Sequence, residues 1–220
     1  GGRTRAMLKV EDGCVNFCTY CIIPYARGRV RSLPVPTAVE QTRPWRQRLP
    51  GDRGDGHRDL LLGPGPEERR DPDRPTGGCL HRRTGCPHPA GELEPRTITE
   101  EFCRRAAALP NLCPQFHLSM QSGCDDTLKR MNRKYDTTRY AQSVALLNQY
   151  FDHPAVTTDL ITGVSEETEE EFAQTLDFIR RCGFAQMHIF PYSVRPGTRP
   201  AKMRQVPKAV KEEPGPPRRP

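Results

Sequence analysis

Residues 11–28, EDGCVNFCTYCIIPYARG, place Cys14, Cys18 and Cys21 in one short loop rich in turn formers. Three thiols spaced C-x3-C-x2-C suit a site with three protein ligands and one open position. A cubic four-iron four-sulfur cluster held by three thiolates leaves its fourth iron open, whereas structural zinc takes four protein ligands. For zinc, the nearest candidates for a fourth ligand are His57 and Cys79, far along the chain. The spacing, the aromatic Tyr20 before the last cysteine and a short strand expected at Met7–Val10 favour the iron-sulfur reading over zinc.

Beyond Glu94 the hydrophobic pattern becomes regular. TITEEFCRRAAAL has Thr97 and Glu100 at capping-box spacing, with Phe102, Ala106 and Leu109 on one helical face. QFHLSM (115–120) predicts a strand, and helices follow through Leu128 and Met131 and through Tyr140, Val144 and Leu147. AVTTDLIT (155–162) predicts a buried strand. TEEEFAQTLDFIRRCG predicts a helix with Thr168 and Glu171 as capping box, Phe172, Leu176 and Ile179 on one face and Gly183 as its stop. AQMHIF (185–190) predicts the next strand. Strands alternating with helices imply parallel β/α units, whose functional edge lies at the carboxyl ends of the strands. The cysteine loop, Gln121–Gly123, Gly163 and Tyr192 all follow strands and are expected to converge there.

Charge and cysteine usage narrow the function classes. Nine cysteines in 220 residues, with no basic-then-apolar leader, argue for metal or redox chemistry over a disulfide framework. No apolar run approaches the length of a membrane span, so the chain reads as soluble, without membrane contact, and cytoplasmic. It begins Gly-Gly-Arg without an initiator Met and reads as a fragment. The net charge of +7 is concentrated at the ends: residues 1–33 carry +4 and residues 195–220 carry +6. Basic flanks suit a polyanionic partner such as RNA, although ordinary solubilising charge accounts for them equally.

Residues 34–94 break the pattern. They hold 19 Pro plus Gly and 10 Arg, yet no Lys, Ile, Phe, Tyr, Met, Asn or Ser. Such composition belongs to low-complexity or disordered chain. The missing residues include those with AT-leaning codons and the abundant ones have GC-rich codons, so the segment reads as coding DNA translated in the wrong frame, with the true frame resuming near Glu92–Pro95. A genuine disordered insert is the alternative. The end, KEEPGPPRRP, has the same character. The organisation expected is a core over 1–211, anomalous over 34–94, and an irregular tail over 212–220.

The signature C-x3-C-x2-C with an aromatic before the last cysteine resembles that of radical SAM enzymes. GCVNFCTYCIIPYARG resembles their methylthiotransferase branch. HLSMQSGCDDTLKRMNRKY (117–135) and MHIFPYSVRPGT (187–198) resemble the subgroup acting on N6-threonylcarbamoyladenosine in tRNA; Asn16-Phe17, Tyr20, Pro24–Gly28 and Cys124 after Gln121-Ser122-Gly123 separate it from related branches. The resemblance implies an α/β fold, an incomplete parallel β/α (TIM-like) barrel. It also implies that Cys14, Cys18 and Cys21 hold a 4Fe-4S cluster whose open iron chelates S-adenosyl-L-methionine. Reductive cleavage then gives a 5′-deoxyadenosyl radical that takes hydrogen from C2 of the modified adenine beside the anticodon, and a methylthio group replaces it. A second 4Fe-4S cluster, held in the family by an N-terminal domain, and a C-terminal RNA-binding domain are expected to be absent here. The implied partners are tRNA and an electron donor such as flavodoxin or ferredoxin.

The remaining candidates carry two readings each. Tyr20 contacts the cofactor adenine or packs beneath the loop. Gln121, Ser122 and Gly123 meet the cofactor ribose or form a polar turn capping the next helix. Glu94 matches a strand-end acid of the family that meets the cofactor, and Asp159, Ile161 and Gly163 match the strand approaching adenine. After Gly163 the family's Phe-Pro-Gly-Glu-Thr appears as Val164-Ser165-Glu166-Glu167-Thr168, so Glu166 stands where a glycine allows close backbone approach. Arg27, Arg29 and Arg31 guide phosphate or are solvated surface. Cys103 and Cys182 read as packing residues, and His117 and His188 as interior histidines. Two other functions stay open: an inactive fragment of such an enzyme, and a one-cluster radical SAM enzyme of another subgroup.

Overall fold

The computed structural model describes residues 11–34, 36–37, 40–41, 88–108, 112–198, 201, 203 and 206. The strand expected at Met7–Val10, most of the anomalous segment and the 212–220 tail lie outside the described residues. Strand β1 (Glu11–Asp12) leads into the cysteine loop, helix α1 (Ile23–Arg27) follows it, and β2 (Arg31–Ser32) returns antiparallel to β1. The larger sheet contains β3 (His88–Leu93), β4 (Leu112–Leu118), β5 (Ala155–Thr162) and β6 (Gln186–Pro191), side by side in chain order and all parallel. The crossovers carry α2 (Glu100–Ala107), then α3 (Asp125–Arg130) and α4 (Thr137–Tyr150), then α5 (Glu169–Cys182).

Alternation along β5 sends Val156, Thr158 and Leu160 to one face and Thr157, Asp159 and Ile161 to the other. The first set joins Phe116 and Leu118 of β4 in a core closed by Phe102, Tyr140, Leu147 and Phe178 from the helices. Burying each large apolar side chain stabilises the fold by roughly 1.5–3 kcal/mol before entropy is counted. The Tyr140 hydroxyl sits inside this core and donates to the Leu118 carbonyl at 2.9 Å, so its burial leaves no orphan. The opposite face carries His117, Asp159 and His188. Among the described residues, this sidedness gives the sheet one helix-covered face and one face that no helix covers.

Helix ends largely follow the sequence. Thr168 accepts from Glu171 N and the Glu171 side chain accepts from Thr168 N, a complete capping box, and Gly183 ends α5 in the left-handed region at φ 62°. The cap of α2 differs from the expectation. Pro95–Thr97 forms a 3-10 turn in which the Thr97 hydroxyl donates to the Glu94 carbonyl at 2.7 Å, so the cap moves to Thr99, which accepts from Phe102 N. The buried face of α5 also differs: Thr175, Phe178 and Ile179 point inward, with Phe172 and Leu176 only half-buried.

The anomalous segment needs a corrected boundary. Its composition predicts irregular chain through residue 94, yet His88–Leu93 forms β3 and pairs with β4. The register shifts at Pro89/Ala90 and again at Ala90/Glu92. Proline has no N–H for the ladder and glycine weakens a strand, so composition argues against this strand; pairing with a neighbour that offers backbone partners overrides that weak local preference.

Candidate metal centre and cofactor site

The cysteine loop is strapped to the end of α3. The last turn of a helix leaves carbonyls without intrahelical partners, and here Thr19 fills them: its N–H donates to Met131 O at 3.0 Å and its hydroxyl to Arg130 O at 3.0 Å. Asn132, at φ 58°, donates from Nδ2 to Phe17 O at 2.9 Å. Asn16 Nδ2 donates to a Glu94 carboxylate oxygen, and the other Glu94 oxygen accepts from Arg96 at 2.9 Å. The loop and the end of β3, 78 residues apart in sequence, are thereby joined.

All three cysteines are free thiols; Cys18 is buried, and Cys14 and Cys21 are partly so. The Asn16 N–H donates to Cys14 Sγ at 3.5 Å and Arg133 Nη1 donates to Cys18 Sγ at 3.3 Å. Burial pushes the Cys14 thiol above its ordinary value, the Asn16 N–H works against that, and the nearby Cys18, Cys21 and Glu94 raise it further. Crowded thiolates repel one another, and cationic iron removes that penalty while holding them deprotonated. Among the described residues no three His, Cys, Asp or Glu side chains group as ligands for a metal ion. In chemistry, three soft sulfur donors, two of them accepting N–H hydrogen bonds, match the donor set an iron-sulfur cluster takes.

Tyr20 is largely buried beneath the loop, its hydroxyl 3.4 Å from Arg133 Nη1, and desolvation raises its pKa strongly. Arg133 and Tyr135 tie this layer to the end of β4. Arg133 donates from Nε to the Tyr135 hydroxyl at 2.9 Å, and that hydroxyl donates to the Ser119 and Met120 carbonyls. Burial disfavours the Arg133 charge, but the facing Tyr135, Tyr20 and Cys18 outweigh it, so the guanidinium is held protonated.

Gln121, Ser122 and Gly123 play different parts. Gln121, at φ 68°, extends the ladder: its N–H donates to Asp159 O at 2.8 Å and its carbonyl accepts from Ile161 N at 2.9 Å. Ser122 and Gly123 turn toward α5. The Ser122 hydroxyl lies 3.2 Å from Thr175 Oγ1, which also accepts from Gly123 N at 3.2 Å. A Cβ on Gly123 would lie 2.8 Å from Phe178 Cβ, so this glycine is required by packing. Asp159 Oδ2 lies 3.4 Å from His117 Nε2 on the open face, and His117 Nδ1 is 3.0 Å from Thr157 Oγ1. The His117 and His188 rings stand 6.2 Å apart.

Gly163, at φ 66°, begins a turn closed by a carboxylate: its N–H and that of Val164 donate to Glu167 Oε2 at 2.8 and 3.3 Å. Burial pushes Glu167 up to about 7. Glu166 adopts φ 65°, the left-handed region that glycine takes without strain. Arg27, Arg29 and Arg31 are exposed. Arg31 reaches Asp12 at 3.3 Å and Arg27 reaches it at 3.8 Å. Beside them Phe17, 49% exposed, and Tyr25, 69% exposed, meet edge to face with centroids 5.8 Å apart.

Arg133, Tyr135, Thr175 and Glu167 escaped the sequence reading. Arg133 lies among Arg130, Lys134 and other polar residues, and nothing local singles it out. Only its position below the loop separates it from Arg130, whose guanidinium pairs with Glu171 at 2.7 and 2.5 Å.

The comparisons with known proteins agree with this architecture. Residues 84–179 match the radical SAM superfamily model. The chain is 35% identical over 226 residues to the threonylcarbamoyladenosine tRNA methylthiotransferase MtaB of Bacillus subtilis, covering 96% of this chain and 47% of that protein. It is 37% identical over 217 residues to the tRNA-2-methylthio-N(6)-dimethylallyladenosine synthase of Chloroflexus aurantiacus, covering 93% of this chain and 45% of that protein. The chain therefore spans about half the length of these relatives. Among solved structures, the radical S-adenosylmethionine methyltransferase TsrM of Kitasatospora setae superposes with a TM-score of 0.65 at 13% identity, over 85% of this chain and 36% of that one. Methylornithine synthase (PylB) superposes with a TM-score of 0.64 at 15% identity, over 91% and 58%. In fold the chain is similar to radical SAM enzymes, and in sequence it is similar to about half the length of tRNA methylthiotransferases that carry that domain.

Proposed function

We propose that this chain supplies the radical SAM core of a cytoplasmic tRNA methylthiotransferase that adds a methylthio group to C2 of N6-threonylcarbamoyladenosine beside the anticodon. The observation that carries the proposal is a three-thiol loop, braced through Asn16 by Glu94 and through Cys18 by Arg133, beside the carboxyl ends of a parallel sheet. The choice of threonylcarbamoyladenosine over the dimethylallyl nucleoside rests on the 117–135 and 187–198 motifs, because overall identity to the two groups of relatives is level.

In this reading Cys14, Cys18 and Cys21 hold a 4Fe-4S cluster, and S-adenosyl-L-methionine occupies the end of the sheet near Tyr20, Glu94, Gln121, Asp159, Ile161 and Gly163. Those three thiols would hold the cluster, which would supply the one-electron reduction that splits a C–S bond of S-adenosyl-L-methionine into methionine and the hydrogen-abstracting 5′-deoxyadenosyl radical. The chain's own part is to orient and to shield. Glu94 holds Asn16 and so fixes the loop against β3. The Gln121 bridge fixes the ends of β4 and β5 relative to each other, which positions Asp159 and Ile161. Glu167 closes the Gly163 turn. Ser122 and Gly123 pack on α5 through Thr175 and Phe178, which holds the turn after β4 where the ribose contact is proposed. Arg27, Arg29 and Arg31, beside the exposed Phe17 and Tyr25, combine charge with aromatic faces, a combination suited to unstacked RNA.

Partners in this reading are tRNA and a one-electron donor such as flavodoxin or ferredoxin. No helix of the described residues is long and apolar enough to cross a membrane. On their composition, residues 34 to about 87 are proposed to be a frame-shifted stretch of the coding region. Resequencing tests this: an uninterrupted frame would return the segment to the status of a genuine insert.

The function is tested by anaerobic reconstitution with iron and sulfide, then incubation with S-adenosyl-L-methionine, dithionite, a sulfide source and undermodified tRNA, with nucleosides read by mass spectrometry. The methylthio derivative of threonylcarbamoyladenosine is expected. Formation of 5′-deoxyadenosine without methylthiolation would favour a one-cluster radical SAM activity, and iron uptake indifferent to Cys14, Cys18 and Cys21 would favour an inactive product.

A further inference from the structure

Arg133 turns its guanidinium inward where the chain leaves α3. Nη1 donates to Cys18 Sγ at 3.3 Å and to the Tyr20 hydroxyl at 3.4 Å, Nη2 to the Ser119 carbonyl at 3.4 Å, and Nε to the Tyr135 hydroxyl at 2.9 Å. The guanidinium carbon also stands 4.8 Å from the Tyr135 ring centroid, a cation–π contact. Its basic neighbours are engaged elsewhere, Arg130 with Glu171 and Lys134 with Asn132 Oδ1 at 2.7 Å. Arg133 is thus a fixed cation with one N–H aimed at a thiol, anchored on the far side by the end of β4.

We propose that Arg133 is a positioning residue for the cluster: its N–H···S bond sets the Cys18 sulfur in place and makes the bound cluster easier to reduce. The inference rests on the iron-sulfur reading given above. Hydrogen bonds to ligand sulfurs, together with charge and burial, set the potentials of such clusters. A donor bearing positive charge stabilises the reduced state most, because that state has one more electron partly on the sulfurs. Arginine keeps its charge at every working pH and its planar fork lets one residue serve Cys18, Tyr20 and Ser119 together. A role confined to packing would change folding or iron uptake but leave the potential of the loaded fraction unmoved.

The test uses the full chain as wild type, R133K, R133Q and R133M, with a control in which Cys14, Cys18 and Cys21 are alanine. Each is reconstituted anaerobically, checked by circular dichroism, assayed for iron, and titrated with dithionite as the one-electron reductant while visible absorbance is followed. The loaded R133Q and R133M chains are expected to be about tenfold harder to reduce, a midpoint about 59 mV more negative for one electron, with R133K closer to wild type. Loaded R133Q or R133M titrating with the wild type would overturn the proposal. If R133M takes up no iron, R133K and R133Q decide: a more negative midpoint in R133Q than in R133K supports it, and equal midpoints refute it. Wild-type iron uptake that survives in the cysteine-free control would instead overturn the iron-sulfur reading, and this inference with it.

Discussion

Glu167 should make the fold lose stability as pH rises toward 8. Its carboxyl accepts from Gly163 N and Val164 N in the turn after β5. Burial pushes its pKa from 4.5 up to about 7, against the pull of those two N–H groups, while Glu171 raises it and Arg130 lowers it. Between these values the folded chain keeps a proton that the unfolded chain releases, so stability is full below the unfolded value and declines as pH rises through the folded one. At about 1.4 kcal/mol per pH unit, the full span is worth about 3 kcal/mol, of which about 2–3 kcal/mol falls between pH 5 and 8. Other groups titrate over the same range, so the readout is the difference between wild type and Glu167→Gln, whose side chain does not titrate. Urea unfolding should show the two chains nearly matched at pH 5 and the Gln variant ahead at pH 8 by roughly 1 M in midpoint, for a slope of about 2 kcal/mol/M. A wild-type advantage that stays constant or grows with pH would show that the two N–H donors outweigh desolvation, and would refute the argument.

Gly123→Ala should destabilise the fold by about 1–3 kcal/mol, because its Cβ would meet Phe178 Cβ at 2.8 Å and Thr175 Cα at 3.1 Å; an unchanged urea midpoint would show that α5 can shift freely. Glu166→Gly should instead stabilise by up to about 1 kcal/mol by relieving the left-handed backbone at φ 65°, and a lowered melting temperature would contradict it. Thr168→Ala removes the cap of α5 and should cost about 1 kcal/mol in the same unfolding assay. Replacing Arg27, Arg29 and Arg31 together by Ala should weaken tRNA binding and flatten the slope of log affinity against log salt by about 0.7–0.9 for each phosphate no longer neutralised; a slope that does not move would remove these residues from the RNA interface.

Local physics was enough for the parts of this fold that local physics governs. The eight residues of β5, the capping box of α5 and its Gly183 stop could be read directly, because periodicity, cap chemistry and a left-handed glycine act within a few residues. The three-cysteine loop was legible for the same reason: its cysteines lie within eight residues of one another. Tertiary contacts decided the rest. β3 forms because β4 offers it a partner, against the Pro and Gly in its own sequence. Ser122 and Gly123 belong to α5 because Thr175 and Phe178 arrive from 52 to 55 residues downstream. Arg133 reaches Cys18 across 115 residues, while Arg130, three positions earlier on the same turn of chain, faces Glu171. No pattern in one dimension separates those two arginines, since each side chain's role is set by what the folded chain brings opposite it.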